Sequence, residues 1–220
     1  MTPVSHDHVH GATIHFTREF WDERYRSAGR LWSGQPNPQL VAQAAELAPG
    51  DALDAGCGEG ADAVWLAARG WTVTAADVSP VALERGAAHA AAEGEHAAAR
   101  ISWQQADLRS WDPGPERFDL VSAQFMYLPD PELGALHRRL AAAVRPGGTL
   151  LIVGHHPDDH HANLGRTGDL TVFPDAAAMA AALDPACWEI LVAGAITRPA
   201  TGQDGEPVTA TDTVLRARRR

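Results

Sequence analysis

Three glycines at alternate positions, flanked by carboxylates, carry the densest chemistry in this chain. They lie in Leu53-Asp54-Ala55-Gly56-Cys57-Gly58-Glu59-Gly60, and a further carboxylate, Asp77, closes the next apolar run. Glycine tolerates left-handed backbone and bares its main chain to a ligand, so this spacing reads as a strand, a tight turn and a helix start. An acidic residue about 20 positions on can accept hydrogen bonds from both hydroxyls of a ribose. The two features point to an adenosine compound. Gly56, Cys57, Gly58, Gly60, Asp77 and the adjoining Val78 are its candidate binding residues.

Departures from the dinucleotide pattern narrow the choice. That pattern is G-x-G-x-x-G, whose third glycine packs the helix on the strand. Here the third glycine, Gly60, arrives one place early, and Ala61-Asp62-Ala63-Val64 follows with no other. Asp54 before the turn and Glu59 inside it would repel a phosphate, whereas they suit a cationic or zwitterionic ligand. S-adenosylmethionine (SAM) lacks phosphate and carries a sulfonium and an ammonium. The acidic turn favours it over NAD.

Further candidates lie later in the chain. Gln105-Ala106-Asp107-Leu108 ends a strand, where Asp107 can accept from an adenine amino group and the Leu108 N–H can reach a ring nitrogen. Asp107 also fits as a simple turn cap. Phe118-Asp119-Leu120-Val121-Ser122-Ala123-Gln124 places Gln124, and soon after it Tyr127, where a reacting centre would lie. Both also fit as plain loop residues. Gly154-His155-His156-Pro157-Asp158-Asp159-His160-His161 has three readings: His155 or His156 as a proton acceptor, a metal centre, or only a polar loop facing substrate.

The elements that must position these groups alternate. Strands are expected near 51–55, 71–76, 100–105, 118–124, 148–154, 187–195 and 207–216, and helices near 38–47, 60–69, 79–93, 131–144 and 175–183. The aromatic stretch from Phe20 to Trp32 places Phe20, Trp21 and Tyr25 at helical spacing. Alternation implies an α/β fold, a Rossmann-like doubly wound sheet that is mostly parallel, with ligands at the carboxyl ends of the strands. A Gly-, Pro- and Asp-rich loop at 198–207 makes the last two strands an antiparallel edge hairpin. Residues 1–17 read as a mobile His-rich leader carrying His6, His8, His10 and His15. Residues 18–48 then form a helical segment, and 49–218 a single ligand-binding domain.

Composition bounds the function. With 220 residues and 45% apolar content the chain can fill one large core, and no apolar run reaches membrane-spanning length. Cys57 and Cys187 read as reduced thiols of a cytoplasmic protein. A net charge of -10 argues against nucleic acid as substrate. Every basic residue is arginine, and the terminal Arg216-Ala217-Arg218-Arg219-Arg220 reads as a solvated tail. Nothing bears on oligomeric state.

The order of LDAGCGEG, Asp77, Ala106-Asp107-Leu108, FDLVSAQ and RPGGTLL, over residues 50–155, resembles the class I SAM-dependent methyltransferases. The resemblance implies a seven-stranded sheet, with the glycine turn under the methionine part of SAM, Asp77 on the ribose and Asp107 on the adenine. Phe20-Trp21-Asp22-Glu23-Arg24-Tyr25, Gly29-Arg30-Leu31-Trp32 and Pro36-Asn37-Pro38 are similar to the start of the thiopurine and tellurite-resistance methyltransferases. There the segment folds over SAM as a lid, which makes Trp21, Tyr25 and Trp32 lid candidates. Alternatively, these aromatics only pack a helix onto the sheet. The leading expectation is methyl transfer to a small molecule, with a thiol or chalcogen as acceptor by virtue of the lid resemblance. A SAM-binding protein without catalysis and an NAD-linked oxidoreductase are the alternatives.

Overall fold

The structure, a computed structural model, describes residues 17–126, 128–129, 131–157, 159, 175–202 and 204–220. Its elements are α1 (Arg18–Arg26), α2 (Pro38–Ala44), β1 (Asp51–Ala55), α3 (Ala61–Ala68), β2 (Thr72–Asp77), α4 (Pro80–Glu93), α5 (Glu95–Ala98), β3 (Ile101–Gln105), β4 (Phe118–Gln124), α6 (Glu132–Ala143), β5 (Val144–His155), α7 (Ala176–Ala181), β6 (Trp188–Thr201) and β7 (Pro207–Arg219). Helices open where capping residues stand. Thr17 accepts the Phe20 N–H ahead of α1, Asn37 precedes Pro38 at α2, and Ser79 precedes Pro80 at α4. Side-chain oxygens satisfy the free first-turn N–H groups, and proline at the first helical position sacrifices no bond.

The sheet runs β3-β2-β1-β4-β5-β7-β6. The first five strands in that order are parallel, whereas β7 is antiparallel to both β5 and β6. This is the expected seven-stranded, mostly parallel Rossmann-like sheet with an antiparallel edge pair. One apolar cluster joins Leu136 and Leu140 of α6 and Met179 of α7 to Val121, Leu150 and Leu215. The other joins Leu40 of α2 and Leu66 of α3 to Leu120, Leu151 and Val214. Neighbouring residues on β4, β5 and β7 therefore enter opposite layers, as a period of two requires. Strand order reverses between β1 and β4, so their carboxyl ends frame the crevice where open α/β sheets hold ligands.

Three expectations are corrected. The arginine-rich C-terminus is not a solvated tail: through Arg219 it belongs to β7, with Arg218 opposite both Thr149 and Glu189. There Ala217 is fully buried, Arg216 reaches Gln43 of α2, and Arg219 pairs with Glu116. A strand between two others satisfies its whole backbone, and that outweighs the polarity of its outward side chains. The 198–207 loop is shorter than expected because Arg198 to Thr201 pair with β7. Pro199 is tolerated because β6 is the edge strand. Finally, α5 adds to the expected helices, and β5 pairs from Val144, ahead of an irregularity before Thr149. No helix among the described residues is long and apolar enough to cross a membrane.

Candidate active site

The glycine turn follows directly from β1. Gly56, Gly58 and Gly60 have φ of 75, 52 and 78°, the left-handed region that side chains disfavour. The N–H groups of Gly56 and Cys57 both donate to the Ala76 carbonyl, at 2.8 and 3.0 Å, and so stitch the turn to β2. Asp77 completes the stitch. One carboxylate oxygen accepts the Gly58 N–H at 2.9 Å and the other accepts the Ser79 N–H at 2.9 Å. Each oxygen keeps a further lone pair, which a ribose diol could use. Burial raises the Asp77 carboxyl above its ordinary range, although these backbone bonds pull it down.

Two more carboxyls lie beneath the turn. Asp54 on β1 is 2% exposed, and its Oδ2 has no hydrogen-bond partner. Burial, then the charges of Asp62 and Asp77, push its carboxyl well above the usual range. Asp62, in the first turn of α3, accepts the Asn37 N–H at 2.6 Å, and burial pushes it up to about 6. The Cys57 thiol is raised by burial and by Asp54 and Asp77 and stays protonated. Among the described residues no ion pair reaches Asp54, Asp62 or Asp77. A cationic ligand would favour the ionised form of these unpaired carboxyls.

A stability prediction follows for the free protein. Because the folded value of Asp62 lies above its unfolded 3.8, its favourable contribution is full below pH 3.8 and is lost as pH rises through about 6. Asp62→Asn keeps an oxygen for the Asn37 N–H and removes the charge. With allowance for partial exposure, the variant is expected to be more stable by about 2 kcal/mol at pH 8 and equal to the parent near pH 4. Thermal melts across that range check it. A pH-independent difference would contradict the assignment.

A cavity of about 380 Å³ lies between Thr17 and Arg18 at the start of α1, Val78, and Ala106 and Asp107 after β3. Arg109 also lines it and grips Asp107 in a fork, with Nε 2.9 Å and Nη2 2.6 Å from the carboxylate. That fork lowers the Asp107 carboxyl below its usual range. Leu108 is buried beside it.

The N-terminal segment sits against the turn. Tyr25 is buried, and its hydroxyl accepts the Trp32 indole N–H at 3.1 Å. Both lie over Gly58, where a Cβ would stand 3.0 Å from the tyrosine oxygen and 3.2 Å from the indole nitrogen. Burial raises the Tyr25 hydroxyl, which stays protonated. The Trp21 ring lies tilted against Tyr25, with ring centroids 6.1 Å apart. Glu59 is engaged differently from the sequence reading. It accepts the Leu31 and Trp32 N–H groups at 3.0 and 3.1 Å and pairs with Arg85 at 3.0 Å, so its charge is neutralised. Arg85 also donates to the Ala28 carbonyl, and Asp22 of α1 accepts the Ser79 hydroxyl at 2.5 Å.

At the neighbouring strand ends Gln124 donates to the Ser122 hydroxyl, while its buried Oε1 has no partner. The Met126 sulfur covers Gly56, and Phe125 lies on the His155 ring with centroids 4.4 Å apart. His156 donates its backbone N–H to the Thr211 carbonyl. Tyr127, Asp158, His160, His161 and the leader histidines lie outside the described residues. The fold gathers the turn, Asp77, Val78, Asp107, Leu108, Gln124 and His155 along one edge of the sheet, with Trp21, Tyr25 and Trp32 above the turn. It also brings in residues the sequence reading passed over: Met126, Trp103, Arg109, and Asp212 of β7. Only Asp212 left a trace, as an acidic residue at an inward position of an alternating strand.

The sheet order and this turn define the class of fold, a Rossmann-like α/β domain with a glycine turn after its first strand. Residues 52–148 match the family described as "Methyltransferase domain". The chain is 30% identical over 126 residues to a 2-heptyl-1-hydroxyquinolin-4(1H)-one methyltransferase of Mycobacteroides abscessus, covering 56% of this chain and 54% of that protein. It is 29% identical over 136 residues to a probable thiol methyltransferase 2 of Arabidopsis thaliana, 60% of this chain and 59% of the other. The alignments thus span a little over half the length of these curated relatives. A structure solved in a study of the conversion of a disulfide bond into a thioacetal group during echinomycin biosynthesis is 27% identical, with a TM-score of 0.70 and coverage of 92% and 91%.

Proposed function

We propose that this protein transfers a methyl group from SAM to a small-molecule acceptor, with a thiol or other chalcogen nucleophile as the leading class. The observation that carries the reading is the set Asp54, Asp77 and half-buried Asp62, three carboxyls under a glycine turn with no cation paired to them among the described residues. A dinucleotide would bring phosphates to that charge, whereas SAM brings an ammonium and a sulfonium. Asp77 would hold the ribose, Val78, Asp107 and Leu108 the adenine, and Asp54 with Gly56, Cys57, Gly58 and Gly60 the methionine part. The conversion of a disulfide bond into a thioacetal group, studied with one structural neighbour, and the probable thiol methyltransferase among the relatives support the acceptor class.

When bound, SAM supplies an electrophilic methyl carbon on sulfur. The chain aligns the acceptor with it and keeps water out, which is most of what such a displacement requires. Residues 18–48 act as the lid, closed by Glu59 on the Leu31 and Trp32 amides and by Asp22 on Ser79. Gln124, His155 and His156 face the acceptor side, with the unpartnered Oε1 of Gln124 available to a donor there.

Thermal unfolding with SAM, its demethylated product and NAD tests the cofactor. A ligand at about 100 times its dissociation constant adds about 2.7 kcal/mol of stability. Stabilisation by SAM and product but not by NAD is expected, followed by SAM-dependent methylation of a thiol probe such as thiophenol. Stabilisation by NAD alone would refute the reading. Binding of SAM without turnover across thiols, hydroxyls and amines would favour a non-catalytic sensor.

A further inference from the structure

His155, at the end of β5, stands opposite Asp212 of β7, and with Asp159 the two place one ring nitrogen and two carboxylate oxygens within 4.8 Å of one another. Asp212 is fully buried and fixed from two sides. Arg198 of β6 grips it in a fork, Nε at 2.6 Å and Nη2 at 3.3 Å, and the Gln39 amide of α2 donates at 3.1 Å. Asp159, 2% exposed, accepts the Thr211 N–H. The Phe125 ring covers one face of the imidazole, and the adjoining Met126 touches Gly56, so this cluster is two residues from the cofactor turn.

The charges decide what such a cluster holds. Among the described residues, two carboxylates face one guanidinium, with His156 the other titratable group alongside. The set becomes neutral when His155 takes up one proton. A dication with neutral His155 would instead leave it at +1. Burial, and to a lesser degree the charge of Asp212, holds the Asp159 carboxyl above its usual range.

We propose that Asp212, set by Arg198 and Gln39 and assisted by Asp159, positions His155 to receive the proton of an acceptor that enters as a protonated thiol, hydroxyl or amine. This rests on the methyltransferase reading and deepens it. The acceptor's lone pair forms the new bond to the methyl carbon, the carbon–sulfur bond breaks with its electron pair left on sulfur, and the acceptor's proton passes to a ring nitrogen of His155. The resulting imidazolium completes the charge balance of the cluster. Asp212 and Asp159 are positioning residues; only His155 meets the acceptor.

Nitrogen-15 spectra of the histidine rings, titrated from pH 5 to 9 without cofactor, test this directly. His155→Gln assigns the signals. In the parent, the His155 imidazolium should persist to a pH about one unit higher than in Asp212→Asn or Asp159→Asn, with the remaining assigned histidines unmoved. A midpoint equal in all three proteins would overturn the proposal. So would stoichiometric Mn²⁺ broadening His155 in the parent but not in Asp159→Asn, which would make the cluster a metal centre. In a second arm, His155→Gln should keep the stabilisation by SAM and lose about 100-fold or more of kcat/KM at about pH 7 with an alkyl thiol such as 2-mercaptoethanol, which enters protonated. Unchanged turnover would also overturn the proposal. Loss of SAM stabilisation in the parent would instead strike the underlying reading, because the spectra need no cofactor.

Discussion

Asp77→Asn is expected to weaken SAM binding by 100-fold or more while leaving the protein folded. The carboxylate already accepts the Gly58 and Ser79 N–H groups, one per oxygen, and its remaining lone pairs are what a ribose diol would meet. Hydrogen bonds to a charged acceptor contribute about 1.5–3 kcal/mol each, so losing two approaches three decades in affinity. Asparagine keeps one oxygen for one backbone donor and turns an NH₂ toward the other. The unliganded fold should therefore lose only about 1–2 kcal/mol. Calorimetric titration with SAM, paired with a melt of the free variant, separates the two effects. Equal affinities for SAM would remove Asp77 from the site. A collapse of the free fold would make it a structural staple instead.

The second large effect is one of packing. A Cβ on Gly60 would stand 2.5 Å from the Trp103 ring and 3.2 Å from the Gly86 Cα, at a φ of 78°. The same ring lies 2.5 Å from where a Gly86 Cβ would be, so one tryptophan from β3 wedges between the turn and α4. Gly60→Val should cost about 4 kcal/mol, roughly 1–2 from left-handed backbone and 1–3 from overpacking, and lower the melting temperature by about 10 °C. Removing the wedge tells the two causes apart. In a Trp103→Ala background the same substitution should cost only the backbone part, about 1–2 kcal/mol, as a double-mutant cycle reads it. An equal cost in both backgrounds would assign the whole effect to φ.

This second case shows why Gly60 was only half legible. In the sequence it is a misplaced third glycine, a departure from the dinucleotide spacing that argued for SAM. In the fold it is the point where Trp103 and Gly86 approach the turn, and neither lies within 25 residues of it in a repeating pattern that would announce the contact. Glu59 is similar. Its charge suggested repulsion of phosphate, yet Arg85 and two amides of the N-terminal segment absorb it, and the unpaired negative charge resides on Asp54, Asp62 and Asp77. The preference for a cation therefore rests on Asp54, as the sequence suggested, with Asp62 and Asp77 in place of Glu59.

The features readable from the sequence are those that local rules govern. Strand and helix periodicity, prolines and caps at helix starts, and glycines forced to positive φ all act within a few residues. The spacing from turn to Asp77 is equally local, because one strand, one helix and one strand have nearly fixed lengths. The tertiary structure alone decided which distant segments meet. Gln39 and Asp212 lie 173 positions apart, yet they share a hydrogen bond beside His155. The arginines that read as a solvated tail form the strand between β5 and β6. Strand order sets such contacts, and strand order depends on how the whole sheet buries both its faces, which no single stretch of residues encodes.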